Sequence, residues 1–258
     1  MKTYGGYLID LDGTMYRGTE RIEDASRFVH YLAENNIPYL FVTNNSSQPP
    51  ERVAKKLNEF DILATEDRVF TTSQATANFI AQKKPNASVY MIGEEGLKQA
   101  LQSSGLQIVE ENPDFVVTGI DRELSYEKLA KACIAVRNGA TFISTNADIA
   151  IPTERGLLPG NGALTSVVSV STNTKPIFIG KPEKIIVEQA IQVLGMDSDK
   201  VIMVGDNYDT DIKAGMNCGL DTLLVHTGVT TRVHLERYEQ KPTYSVDSLT
   251  DYLNLLQS

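Results

Sequence analysis

Apolar positions along the chain fall into short runs separated by amphipathic stretches, and that rhythm sets the first expectation. The segment Tyr4 to Asp10 ends in an apolar burst bounded by acid, and the next strong apolar run is Tyr39 to Thr43. Between them, Ile22 to Glu34 carries apolar residues at helical spacing, which makes a β-α-β opening. Such connections are right-handed and favour a parallel sheet whose ligands gather at the carboxyl ends of the strands. Asp10 and Thr43 each stand at such an end. A helix from Pro50 to Phe60 has proline in its first turn, and a further helix from Ser73 continues the alternation.

From about residue 80 the pattern starts again. Strands are expected at Val89 to Ile92, Phe115 to Thr118 and Thr141 to Ser144, with helices at Gly96 to Gln102 and Tyr126 to Val136 between them. After LLPGNGAL come a helix from Ala163 and a strand at Pro176 to Ile179. A helix at Glu183 to Leu194, a strand at Val201 to Gly205, a helix at Thr210 to Asn217 and a strand at Thr222 to His226 then resume the first alternation, and a helix from Val246 ends the chain. The expected fold class is therefore α/β, a Rossmann-like parallel-sheet core of residues 1–79 plus 180–258 carrying an inserted α/β cap domain of residues 80–179. The length of 258 residues suits a core and one smaller insert.

Composition narrows the function without naming it. Apolar residues make up 41% and charged residues 22%, as in an ordinary folded protein. The net charge of -9, with no cluster of Lys and Arg, argues against a nucleic-acid polymer as partner. The start MKTYGGYLID runs straight into a strand, and no apolar run approaches membrane-spanning length. A cytoplasmic location and no membrane partner are expected. Cys133 and Cys218 lack metal-ligand spacing and disulfide density, and are read as two buried thiols.

Four short motifs carry the chemistry. DLDGT at 10–14 places two carboxylates two residues apart where a strand stops. TNNS at 43–46 follows the second strand, GKP at 180–182 precedes a helix, and GDNYDTD at 205–211 follows the apolar strand VIMV. A lone DxD would be weak, because acids end strands as turn formers and helix caps. The conjunction is what matters: several carboxylates at one sheet edge repel unless a cation neutralises them. A hard divalent ion with oxygen ligands, most simply Mg²⁺, answers that need and suits phosphate chemistry.

In order and in local sequence these motifs resemble the haloacid dehalogenase (HAD) superfamily. The insert of about a hundred residues between the second and third resembles the NagD-like subfamily of nucleotide and para-nitrophenyl phosphatases with a large α/β (C2-type) cap. The resemblance implies a Mg²⁺-dependent phosphatase with an aspartyl-phosphate intermediate. Asp10 would be the nucleophile and Asp12 the general acid/base. Thr43, the backbone N–H of Asn44 and Lys181 would bind the phosphoryl group. Asp10, Asp206 and the backbone carbonyl of Asp12 would ligate the metal, with Asn207 and Asp211 supporting that shell. Asn146 and Asp148, in a TNxD pattern after the strand FIST, resemble the cap's specificity loop. Pro159, Gly160 and Gly162 are read as a plain turn, and the three histidines as structural.

The implied substrate is a small phosphorylated metabolite. Nucleoside monophosphates come first, with para-nitrophenyl phosphate and then sugar phosphates, glycerol phosphate and pyridoxal phosphate behind. A homodimer through the cap occurs among such proteins and is compatible with this chain. Two other readings share the acidic pocket: a phosphotransferase or phosphomutase using the same acyl phosphate, and a phospho-acceptor switch. Asp12 and the large insert count against the switch.

Overall fold

The apolar runs become the middle of a six-stranded sheet. Across it the strands lie in the order Tyr244–Val246, Asp221–Val225, Val201–Gly205, Gly6–Ile9, Tyr39–Thr43 and Val69–Thr71. Pairing is parallel from the first of these to the fifth. Gly6–Ile9, Tyr39–Thr43 and Val201–Gly205 are buried at every position. That is why they read as unbroken apolar runs, the signature of parallel strands covered on both faces. Ile9 pairs with Val204 on one side and Phe41 on the other. Asp10, Thr43 and Asp206 therefore leave the sheet at one edge.

The computed structural model describes residues 2–153 and 155–257. Within it one unit comprises residues 2–43, 51–70 and 181–257, and a second comprises residues 44–50 and 71–180. Residues 44–50 and 71–79 thus go with the second unit, whereas the apolar rhythm had grouped them with 1–79.

In the first unit, helix Glu23–Glu34 turns Ala25, Phe28, Val29 and Leu32 inward. Phe28 sets its ring against Tyr7 at 5.5 Å and Tyr252 at 6.1 Å, both edge-on, the geometry aromatic quadrupoles favour. Asn36, at φ 54°, turns the chain out of that helix in the left-handed conformation that asparagine tolerates.

The second unit is built on a five-stranded parallel sheet ordered Ile177–Phe178, Thr141–Ser144, Phe115–Thr118, Ser88–Ile92 and Gln107–Ile108. Helices Tyr126–Arg137 and Asn161–Thr172 pack on each other. An antiparallel pair, Ala150–Thr153 with Gly156–Pro159, follows the strand Thr141–Ser144.

Some elements depart from the sequence reading. The helix expected at Thr210 to Asn217 is a π-helical turn, Tyr208–Ile212, leading into a short helix, Lys213–Asn217. The terminal helix is Leu249–Gln257, and Tyr244–Val246 before it is a strand. Cys133 is buried, but Cys218 is only half-buried, so one of the two expected buried thiols is partly open. Among the described residues, no helix is long and apolar enough to cross a membrane.

Candidate active site

The loop after Gly6–Ile9 begins with Asp10, whose N–H donates to the Val204 carbonyl at 2.9 Å and so continues the sheet pairing by one residue. Its carboxylate is buried and meets Lys181, from the first unit's third segment. The Lys181 Nζ donates to Asp10 Oδ1 at 2.5 Å and to the Val42 carbonyl at 2.9 Å, and pairs with Asp211 Oδ1 at 2.8 Å. Lys181 is 1% exposed, so an ammonium group sits inside the protein with its three donors directed at three oxygens. Burial by itself favours the neutral amine. The charges of Asp10 and Asp211 and their hydrogen bonds outweigh it, and hold the lysine above its usual pKa.

The π-helical turn explains how Asp211 arrives. Asn207 caps that turn with its Oδ1, which accepts the Asp209 N–H at 3.0 Å. The Asn207 N–H donates to Asp211 Oδ2 at 3.1 Å while Asp211 Oδ1 faces Lys181. The extra residue of a π turn re-aims a side chain that a regular helix would direct elsewhere. Asp206 is clamped separately. Its Oδ2 accepts the Val229 N–H at 2.7 Å, and its Oδ1 accepts from the Thr14 hydroxyl at 3.2 Å. The same hydroxyl stands 3.5 Å from Asp10 Oδ2, so Thr14 bridges the two acids.

Gly13 lies at φ 85°, and a side chain there would run into the Asp206 carboxylate. Only glycine lets the DLDGT turn approach so closely.

Asp10, Asp206 and Asp211 each offer a carboxylate oxygen, and these oxygens lie within 4.8 Å of one another. Three buried acids face one buried lysine. Burial, then the charge of Asp211, drives the Asp10 carboxyl well above its ordinary pKa, with Lys181 opposing. Asp206 is pushed up to about 7, again by burial first and Asp211 second, with the Val229 N–H, the Thr14 hydroxyl and Lys181 opposing. An all-oxygen, over-acidic, buried donor set fits a hard divalent cation. Asp12 keeps an exposed edge, yet desolvation by the surrounding protein, foremost, raises its carboxyl, while Lys56, the Gly18 N–H and Lys181 hold it down.

In the cation-free protein, Asp10 and Asp206 bind protons more tightly folded than unfolded, where a carboxyl titrates at about 4. Their contribution to stability is complete below that value, and that of Asp206 is lost as pH rises through about 7. A cation that binds the ionised acids restores it. The rise in melting temperature on adding Mg²⁺ is therefore expected to be small at pH 5 and to grow toward pH 8. Thermal scans with Mg²⁺ and with chelator would show it; a shift largest at pH 5 would contradict this reading of the cluster.

Of the residues expected from sequence, Asp10, Lys181, Asp206 and Asp211 come together. Thr43 is buried at the end of its strand, on the same sheet edge. Asn207 spends its side-chain oxygen on the turn. Asn44, Asn146 and Asp148 belong to the second unit and join one another: Asn44 Nδ2 donates to Asp148 at 3.2 Å, and Asn146 Nδ2 donates to the Asn44 carbonyl at 2.8 Å.

Thr14, the Val42 carbonyl and the Val229 N–H are contributors that sequence reasoning did not name. Thr14 could have been found, since it completes DLDGT; the two backbone groups leave no side-chain signal. His226 holds the Thr230 carbonyl and the Ser245 hydroxyl, both at 2.8 Å, and is structural as expected. His30 faces Asp61 at 3.5 Å.

Comparison with known proteins accords with this geometry. The family described as "Haloacid dehalogenase-like hydrolase" matches residues 7–107, and a related HAD-hydrolase-like family matches residues 178–252. The 5'-nucleotidase YutF of Bacillus subtilis is 65% identical over 253 residues, covering 98% of this chain and 99% of its own. An acid sugar phosphatase of Staphylococcus aureus is 54% identical over the full length of both chains. Among solved structures, the p-nitrophenyl phosphatase from Archaeoglobus fulgidus superposes with a TM-score of 0.93 at 36% identity, covering 98% of this chain and all of that one. With motifs, fold and relatives in agreement over nearly its whole length, the chain belongs to the haloacid dehalogenase-like hydrolases.

Proposed function

We propose that the chain hydrolyses small phosphate monoesters through a phosphoryl group carried on Asp10. The observation that carries this reading is the buried Asp10–Lys181 pair at the sheet edge with Asp206 and Asp211 around it. In the first step, an Asp10 carboxylate oxygen forms a bond to phosphorus as the bond to the leaving oxygen breaks, and Asp12 gives that oxygen its proton. In the second, Asp12 takes a proton from a water, which attacks the acyl phosphate, frees inorganic phosphate and restores the Asp10 carboxylate. Lys181 opposes protonation of Asp10 and offsets charge on the phosphoryl oxygens, aided by the Thr43 hydroxyl and the Asn44 N–H.

A Mg²⁺ ion held by Asp10, Asp206 and the Asp12 carbonyl, with Asp211 in support, would neutralise charge on the transferring group. Nucleoside monophosphates are the first substrate class to test, followed by sugar phosphates and para-nitrophenyl phosphate. The nearly full-length likeness to proteins named for these substrates supports that order. Residues 80–179, all within the second unit, act as the substrate-selecting cap domain. A cytoplasmic setting fits two cysteines that form no disulfide.

The acid/base role of Asp12 separates by leaving group. Asp12→Asn is expected to lower turnover of a nucleoside monophosphate by about 10²- to 10⁴-fold. With para-nitrophenyl phosphate, whose leaving group departs without a proton, the variant should release a burst of one equivalent of nitrophenol and then stall. Rapid-mixing absorbance checks this, and steady turnover at the wild-type rate would sink the assignment.

A further inference from the structure

The motif LLPGNGAL centres on Asn161, a densely bonded polar residue of the second unit. Asn161 is 1% exposed and opens the helix Asn161–Thr172. Its Nδ2 stands 3.0 to 3.2 Å from four oxygens: the Thr118 and Asn146 carbonyls and the Ser144 and Thr145 hydroxyls. Two of these are carbonyls and accept only, so the amide must present its nitrogen there. Its Oδ1 is buried without a partner. The side chain is thus placed for what it donates, and all that it donates goes to the strand end before it and to the loop 144–148.

Two glycines complete the hold. Gly162 donates its N–H to the Asp148 carbonyl at 2.9 Å, and Gly160 donates to the Ile149 carbonyl at 3.0 Å. A side chain at Gly160 would collide with the backbone of Asp148, and one at Gly162 with the backbone of Ala147. The loop so gripped has an outward task. The Asn146 Oδ1 accepts the Asp148 N–H at 3.1 Å, which sets both side chains. They close on Asn44, one taking its carboxamide and the other its carbonyl. The Asn44 Oδ1 meanwhile lies so near Gly180 that a side chain there would touch it at 2.6 Å.

We infer that Asn161 is a positioning residue for Asn44, acting through the loop 144–148, so that Asn146 and Asp148 serve phosphate binding in general and do not read the leaving group. This rests on the proposed role of the Asn44 N–H as a phosphate donor. Asn161→Asp keeps the shape but sets a carboxylate against four oxygens, which displaces the loop.

The test is calorimetric titration of inorganic phosphate in Mg²⁺, beside kcat/KM for para-nitrophenyl phosphate and for a nucleoside monophosphate. Asn161→Asp is expected to raise the phosphate Kd and to lower both kcat/KM values by one common factor, roughly tenfold, the size of one lost hydrogen bond. In an Asp148→Ala background the same change should cost much less, because the tie to Asn44 is already cut.

A loss confined to one leaving group, additive effects in the double variant, or a lower melting temperature with phosphate affinity unchanged would each overturn the inference. Should Asn161→Asp fail to fold, Asp148→Ala alone must raise the phosphate Kd. The titration needs no turnover, so an inactive wild-type protein would count against the hydrolase reading and leave this test standing.

Discussion

Asp10→Asn is expected to yield a folded protein whose turnover is lower by at least about 10⁴-fold, the scale on which removal of a nucleophile acts. The amide is nearly isosteric but cannot take the phosphoryl group. Its effect on stability should run the other way. Asp10 is buried, and its carboxyl is forced far above its ordinary pKa by that burial and by Asp211. Ionising it opposes folding unless a cation is bound. The neutral amide removes that cost while Lys181 keeps Asp211 and the Val42 carbonyl. In chelator at pH 8 the variant should therefore melt at or above the wild-type temperature. An active Asp10→Asn protein would remove Asp10 from the mechanism.

Lys181→Met is expected to lose both activity and stability. Methionine fills much of the same volume without a charge, and leaves Asp10 and Asp211 facing one another in a buried site with their shared partner gone. Breaking a buried pair from one side costs about 3–5 kcal/mol. For a chain of this length that is a fall of roughly 10 °C in melting temperature. Turnover should fall by about 10²- to 10³-fold, as for the loss of one preorganised donor to a developing anion. The two substitutions remove opposite ends of one ion pair and are predicted to move the metal-free melting temperature in opposite directions. Thermal scans in chelator compare them directly, and a shift in the same direction for both would contradict this balance of buried charges.

The parts of the fold legible in the sequence are those whose physics leaves a run or a rhythm. Gly6–Ile9, Tyr39–Thr43 and Val201–Gly205 are covered on both faces, so each is a continuous apolar string that can be read off directly. Because parallel strands present their carboxyl ends together, the acids and polar residues that follow those strings point to one sheet edge, and Asp10, Lys181, Asp206 and Asp211 do converge there.

Short or exposed elements leave no such mark. The ribbon Tyr16–Arg17 with Glu20–Arg21 has two residues a side, too few for alternation, and the pair Ala150–Thr153 with Gly156–Pro159 has no fully buried position among its described residues. The π turn at Tyr208–Ile212 is a backbone choice that the string GDNYDTD does not distinguish from an ordinary helix start. Membership of the two units was also hidden. Residues 44–50 are a polar stretch whose hydrogen bonds, such as Ser73 Oγ to the Ser46 carbonyl and Ser46 Oγ from the Ile120 N–H, go to residues far away in sequence. The role of Asn161 was obscured for the same reason, since each of its partners is a backbone or hydroxyl oxygen brought up by folding.

The central claim is a phosphoryl group bonded to Asp10, and the most direct measurement is to trap it. Wild type and Asp12→Asn would be mixed with para-nitrophenyl phosphate in Mg²⁺, quenched in acid within milliseconds, digested and sequenced by mass spectrometry. The account predicts one phosphoryl group on the peptide that contains Asp10, accumulating further in Asp12→Asn, where its hydrolysis is blocked, and absent from Asp10→Asn. Release of phosphate by the wild type with no label on that peptide in the wild type or in Asp12→Asn, or with label on another residue, would contradict it.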